Sequence, residues 1–230
     1  MPSSLWIAQG NSYLVVDPDE LLTPEQVRAE VGDADGILEV FACGDDWVEI
    51  AIWNPDGSRA EMSGNGTRIA ARWLASRTGA AEVVVRVGPR EVRARMLDGD
   101  LVEQDLGEIT VGAPEEVDGV RLVAVDVGNP HAVIEGDPDE LPRLGPMIEV
   151  HPRFPRRTNV QVARVVGPGV IDARVWERGA GETLSSGSSA VAVAVGLGVS
   201  PAVVRFPGGD LSVRIEGGRA YLTGPAAPVD

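Results

Sequence analysis

The sequence predicts an α+β protein of two pseudo-symmetric halves, built mainly of short strands whose sheets curl on themselves. Three observations carry this. Short β-rich runs recur at even spacing with turn residues between them, helices are few, and one pattern of residues occurs twice.

In the first half the β-rich runs are Leu14 to Val16, Ile37 to Phe41, Val48 to Trp53, Glu82 to Val87, Glu91 to Met96 and Leu101 to Gln104. Gly88-Pro89 and Asp98-Gly99 supply turns between them. The second half continues with Arg121 to Val127, Ala132 to Glu135, Asn159 to Val165, Val170 to Trp176, Ala202 to Phe206, Leu211 to Ile215 and Arg219 to Leu222. Thr23-Pro24-Glu25-Gln26 reads as an N-cap, a proline in the first turn and a capping-box glutamine, opening a surface helix that ends near Gly32. A second helix is expected over Thr67 to Thr78 and a third over Ser188 to Gly196. The third is so rich in small apolar residues that it should be buried all round, and its Val/Ala alternation also suits a strand.

The repeat sets the organisation. Ile52-Trp53-Asn54 is followed by Ser63-Gly64 and a helix, and Val175-Trp176-Glu177 by Ser186-Gly187 and a helix, the serine standing ten residues after the tryptophan in both. Two homologous domains follow, 1–113 and 114–230, with the boundary in the acidic, Pro/Gly-containing stretch Gly112 to Gly119 and the last residues free to return to the first domain.

Composition narrows the function. The chain has 230 residues, 43% hydrophobic and 24% charged, ordinary for a folded domain and unlike a disordered chain. No apolar run reaches the ~20 residues of a membrane span, and Met1 to Gly10 does not read as a secretory signal, so a cytoplasmic protein is expected. A net charge of −15 is the wrong sign for tracking phosphate backbones, so nucleic acid and anionic membranes are not expected as partners. Every basic residue is arginine, which removes the lysine that pyridoxal phosphate and the P-loop both require. A lone cysteine, Cys43, and two histidines, His131 and His151, exclude an intrachain disulfide and a cysteine-rich zinc site.

Each repeat puts a Gly-rich turn directly before a helix, where unpaired backbone N–H groups and the positive end of the helix dipole favour an anion. If the domains face each other, one carboxylate sits between the two helix starts, with Ser63 on one side and Ser186 on the other. That symmetry suits removal of a proton from one face of a carbon and return of one to the other, with the helix starts stabilising the enolate-like charge that develops.

These residues resemble the diaminopimelate epimerase family. The matching segments are Gln9-Gly10-Asn11, Asn54 to Ser58, Gly64 to Arg68, Gly128-Asn129-Pro130-His131, Phe154 to Asn159, Trp176 to Thr183 and Leu222 to Pro225, in family order along nearly the whole chain. The resemblance implies two similar domains, each a set of strands around a central helix, and epimerisation of an amino acid without metal or organic cofactor, in the lysine and peptidoglycan precursor pathway. It implies that Asn11, Asn54, Asn129, Asn159, Glu177 and Arg178 hold the distal end of diaminopimelate, and that Gly64, Asn65, Gly187 and Ser188 receive the reacting end. An arginine fork suits a carboxylate, and Glu177 with asparagine carbonyls suits an ammonium group. His131 is expected to shape the pocket near the reacting carbon, and a homodimer follows by analogy.

One departure bears on activity. The family's acid/base positions hold two cysteines, and here they hold Ser63 and Ser186. A thiol ionises near ~8.5, a hydroxyl several units higher, and each unit is worth ~1.4 kcal/mol. Weak or no turnover is therefore expected, and the alternatives are a binding protein or inactivated form that only recognises the ligand, and another racemase or isomerase of the same superfamily, such as the carboxylate-based phenazine-biosynthesis type. Ser189 stands where the family has glycine and is expected to tighten the second anion site. Read singly, each of these residues has an ordinary structural role: the serines as helix caps, the asparagines as turn formers, Glu177-Arg178 as a surface ion pair. Cys43 reads as an incidental thiol in a short loop, His151 as structural or solvent-facing, and Trp47, Trp53, Trp73 and Trp176 as core.

Overall fold

A computed structural model describes residues 3–17 and 21–229. Met1 and Pro2, at the head of the segment read for a leader, lie outside these. The chain divides into two compact units, Met1–Asp105 with Thr223–Asp230, and Leu106–Leu222.

The first unit contains β1 (Ser3–Ala8), β2 (Asn11–Val16), α1 (Pro24–Glu30), β3 (Gly36–Cys43), β4 (Trp47–Trp53), β5 (Arg59–Ala60), α2 (Gly64–Thr78), β6 (Glu82–Val87), β7 (Arg90–Met96) and most of β8 (Leu101–Glu108). The second contains β9 (Thr110–Val117), β10 (Val120–Asp126), β11 (Pro130–Glu135), a 3-10 turn at Pro138–Glu140, α3 (Leu141–Glu149), β12 (Asn159–Gly167), β13 (Val170–Glu177), β14 (Gly181–Thr183), α4 (Gly187–Gly196), β15 (Ala202–Phe206), β16 (Gly209–Glu216) and the start of β17 (Arg219–Pro225). A last strand, β18 (Ala227–Pro228), belongs to the first unit and pairs with β1, Trp6 opposite Pro228.

The repeat extends to strand pairing. In the first unit β1 and β2 are antiparallel, β2 and β3 parallel, β3 and β4 antiparallel, β4 and β6 parallel, β6 and β7 antiparallel. The second unit has the same alternation for β10-β11, β11-β12, β12-β13, β13-β15 and β15-β16. A parallel pair needs a crossover, and a helix supplies each one: α1 and α2 in the first unit, α3 and α4 in the second.

In each unit one helix is enclosed. Around α2 the core takes Ile69, Leu74, Leu38, Ile50 and Val85; around α4 it takes Val191, Val193, Ile171, Val175 and Leu211. Burying a side chain of this size stabilises by ~1.5–3 kcal/mol. Ala190 to Ala194 are all buried, so α4 has no polar face. The helical alternative prevails over the strand because a helix satisfies its backbone N–H and C=O groups internally, whatever surrounds it.

The outer helices cover the opposite faces of the same sheets. Thr23 forms the expected capping box with Gln26 at the start of α1, whose Val27 packs with Leu22, Ile37 and Trp53. Helix α3 is not among the helices expected from the sequence; it carries Pro142, Gly145 and Pro146, residues that ordinarily interrupt a helix. Its Leu141, Leu144 and Ile148 nevertheless form a helical stripe against Leu122 and Val160. The stretch 112–119, read as the boundary, forms most of β9 and its turn inside the second unit. Cys43, read as a loop residue, ends β3 and is exposed. Among the described residues no helix is long and apolar enough to cross a membrane, and no cluster of three or more His, Cys, Asp or Glu side chains could hold a metal ion.

Candidate active site

Both repeat serines are N-caps, Ser63 of α2 and Ser186 of α4, each with extended backbone that turns the chain into the helix. Their partners differ. Ser63 Oγ accepts the backbone N–H of Gly66 at 3.0 Å and lies 3.1 Å from the Tyr13 hydroxyl. Ser186 makes no capping bond and lies beside the Glu177 carboxylate, which accepts the Thr183 hydroxyl at 2.6 Å. Burial pushes the Glu177 carboxyl above the ordinary carboxylate range, partly offset by the Thr183 and Ser186 hydroxyls. In the sequence no histidine holds a position that suggests pairing with either serine, and neither Tyr13 nor Glu177 stands out as a partner.

Around the start of α2, Asn65 Nδ2 donates to Asn11 Oδ1 at 2.6 Å, so two of the expected ligand-binding residues meet. Arg68, fully buried one turn into the helix, donates to Gly64 O at 3.2 Å and also to Asn65 Oδ1. No carboxylate among the described residues pairs with it, and burial lowers its pKa to about 10. It remains charged at neutral pH and adds to the positive potential of the helix start. Asn54 lies in an exposed turn and gives its amide to Ser58 Oγ at 2.9 Å.

The second unit holds a chain of polar side chains. His131 Nε2 meets Asn129 Oδ1 at 2.9 Å, and Gln161 Nε2 lies 3.0 Å from His131 Nδ1 and 3.0 Å from Ser189 Oγ. Desolvation depresses the pKa of His131 to about 3, so the ring is neutral, with Nε2 as donor to Asn129 and Nδ1 as acceptor from Gln161. Gln161 Oε1 is buried with no hydrogen-bond partner among the described residues. Ser189 does not bear on the anion site as expected: fully buried, it gives its oxygen to Gln161. Asn159 braces the loop beside Glu177, donating to Pro130 O at 2.9 Å and accepting the Arg178 N–H at 3.0 Å. Half-buried Arg178 reaches Arg156 O at 3.2 Å. Gly187 is buried and Ser188 half-buried at the first turn of α4.

Trp53 and Trp176 serve structure, each giving its indole N–H to a buried glutamate, Glu39 or Glu149, at 2.8 Å. Trp73 is buried, while Trp47 is half-buried beneath the Arg86 guanidinium. His151 is half-buried and sits 3.3 Å from Asp118.

Comparison with known proteins defines the class first: an isomerase of the epimerase type. The diaminopimelate epimerase family pattern matches residues 123–229. A diaminopimelate epimerase of Synechococcus sp. (strain JA-3-3Ab) is 37% identical, the alignment covering 100% of this chain and 98% of the relative. The chain belongs to the diaminopimelate epimerase family. Its fold is shared by a protein described as a predicted epimerase from Pseudomonas aeruginosa, with TM-score 0.76, 16% identity and coverage of 99% of this chain and 96% of that one. It is shared too by a phenazine biosynthesis protein of the PhzF family from Bacillus anthracis, with TM-score 0.74, 12% identity and coverage of 99% and 96%.

Proposed function

We propose that the protein interconverts LL- and meso-2,6-diaminopimelate by exchanging the proton at one α-carbon, in lysine and peptidoglycan precursor synthesis, with no metal or organic cofactor. The observation that carries this is the repeated helix start, each copy presenting a capping serine. The first turns of α2 and α4, with Gly64, Asn65, Gly187 and Ser188, receive the reacting carboxylate. Helix-dipole interactions of this kind contribute ~0.3–1 kcal/mol each when exposed and more when water is excluded. Asn11, Asn54, Asn129, Asn159, Glu177 and Arg178 hold the distal amino and carboxylate groups, and His131, neutral and fixed by its two neighbours, shapes the pocket.

One hydroxyl from each unit serves the α-carbon. Ser186 serves one face of the carbon and Ser63 the opposite face. A hydroxyl is a weaker source of base than a thiol at neutral pH, so turnover is slow. Incubation with diaminopimelate in heavy water tests the reading: slow entry of deuterium at the α-carbon, accelerated by Ser63→Cys with Ser186→Cys, supports it. Intact binding with no exchange in either form favours the second reading, a homologue that only recognises an amino acid, for which the observation is the absence of a thiol at either site. The asparagine and Glu-Arg set, which suits a second amino acid head group, argues against the carboxylate-based isomerase alternative. We place the protein in the cytoplasm as a homodimer acting on a small molecule, without nucleic acid or membrane partners; sedimentation of the purified protein tests the dimer.

A further inference from the structure

Ser63 has a titratable neighbour inside its own unit. The Tyr13 hydroxyl lies 3.1 Å from Ser63 Oγ, at a geometry in which either atom can be the donor. Gly36, beside Tyr13 in the parallel register of β2 and β3, has no room for a Cβ, which would clash with Trp53 O and stand 2.8 Å from Tyr13 Cε1, so the ring packs directly over the glycine. At Gly66 a Cβ would come within 3.3 Å of Ser63 Oγ, so a second glycine keeps the hydroxyl uncrowded from the helix side. The Gly66 N–H, 3.0 Å from Ser63 Oγ, stabilises negative charge on that oxygen.

We propose that Tyr13, acting through Ser63, takes up and returns the proton on the first unit's side of the reaction. The inference rests on the epimerase reading above. In the deprotonating direction the substrate's α-C–H bond breaks and its proton bonds to Ser63 Oγ, while the Ser63 hydroxyl proton passes to the Tyr13 phenolate. The electron pair of the broken bond stays on the substrate as the enolate-like carbanion. In the opposite direction Tyr13 gives its proton to Ser63 Oγ as the Ser63 proton bonds to carbon, leaving phenolate. Protons and charge balance in both directions, and no redox partner enters.

Magnitudes favour this route over a lone serine. A phenol ionises near ~10 and a thiol near ~8.5, so a tyrosine relay forgoes ~1.5 units against cysteine, about thirty-fold in ionised fraction at neutral pH. A serine without a partner lies several units worse. Of the elements packed against β2, α2 carries Arg68, Arg72 and Arg77 and β3 carries Glu39. Arg68 on α2 carries a positive charge with no carboxylate pairing among the described residues, and β1 bears no charged side chain. Glu39 on β3 is turned to the Leu22 N–H and Trp53, and Asp35, just before β3, to the Ser12 N–H and hydroxyl.

The test is the α-deuteration rate of diaminopimelate in heavy water, followed against pH for the unaltered protein, Tyr13→Phe, Ser63→Cys and the double variant. Phenylalanine keeps the ring in the space beside Gly36, and melting curves check that the fold persists. The expected result for Tyr13→Phe alone is a loss of about thirty-fold or more in kcat, with KM changed less than about threefold. In the Ser63→Cys background, where the introduced thiol ionises unaided, the same change should cost under about fivefold. The kcat profile of the unaltered protein should climb toward about pH 10, and that of Ser63→Cys should level near about pH 8.5. Undiminished exchange in Tyr13→Phe, or an equal loss in both backgrounds, overturns the proposal. So does exchange that appears only after Ser63→Cys, which leaves the epimerase reading intact. Exchange absent from every form, including Ser63→Cys with Ser186→Cys, overturns the reading and the proposal together.

Discussion

The Glu39 carboxylate, with no exposed surface, accepts the Trp53 indole N–H at 2.8 Å and the Leu22 backbone N–H at 2.6 Å. Half-exposed Arg59 stands 3.6 Å away and lies over the Trp53 ring. This cluster fixes the end of β4, from which the chain turns toward Ser63. Removing the carboxylate leaves two buried donors without partners. Glu39→Ala should destabilise the protein by about 3 kcal/mol, and Glu39→Gln by about 1 kcal/mol, as one oxygen acceptor is kept. Chemical denaturation of the three forms measures this; equal stability would show that the donors find water.

Gly145 in α3 packs against the second repeat tryptophan, where a Cβ would stand 2.8 Å from Cβ and Cγ of Trp176. Alanine normally gains up to ~1 kcal/mol over glycine in a helix, and forced overpacking costs ~1–3 kcal/mol. Gly145→Ala should therefore lower stability overall, with a red-shifted or broadened Trp176 fluorescence. A rise in the denaturation midpoint would contradict the packing described.

Glu177 has its folded pKa raised above the ordinary 4.5, chiefly by desolvation. For such an acid the native state binds more protons than the unfolded one between the two pKa values, so stability declines as pH rises through that window. Glu177→Gln should make the protein at least as stable at neutral pH and remove that decline, while weakening diaminopimelate binding about tenfold or more. Melting curves against pH, with and without diaminopimelate and with proline and histidine as controls, read both effects.

His131 behaves oppositely. With its pKa lowered from 6.5 to about 3, it is neutral in the native state and must be protonated on unfolding in acid. The unfolded state binds more protons below pH ~6.5, so this group's contribution is lost as pH falls toward ~3, at up to ~1.4 kcal/mol per pH unit. His131→Gln should flatten that part of the acid stability profile, and an unchanged slope would count against a neutral buried ring.

What was legible in the sequence follows locality. The capping box at Thr23 and the Gly-rich starts of α2 and α4 are signals contained in a few adjacent residues, and they appear where expected. Helix α3 was hidden because its prolines and glycine look like interruptions, although Pro142 sits harmlessly in the first turn and Gly145 answers to a tryptophan thirty-one residues later. The serine partners were hidden for a similar reason. Tyr13 reaches Ser63 only through strand pairing across fifty residues, and the Glu177 contact to Ser186 depends on the turn at Gly181–Thr183 bringing the chain back. No histidine stands at a position that suggests pairing with either serine, and the phenol 3.1 Å from Ser63 comes from strand β2.

The strand supplied by residues 227–228 has a consequence for biosynthesis. Because Ala226 belongs to the α2 core and β18 pairs with β1, the first unit lacks part of its interior until the whole of the second has left the ribosome. The later-encoded unit can thus mature first, and a nascent chain arrested before residue 223 should display an unsealed N-terminal half, open to proteases and chaperones.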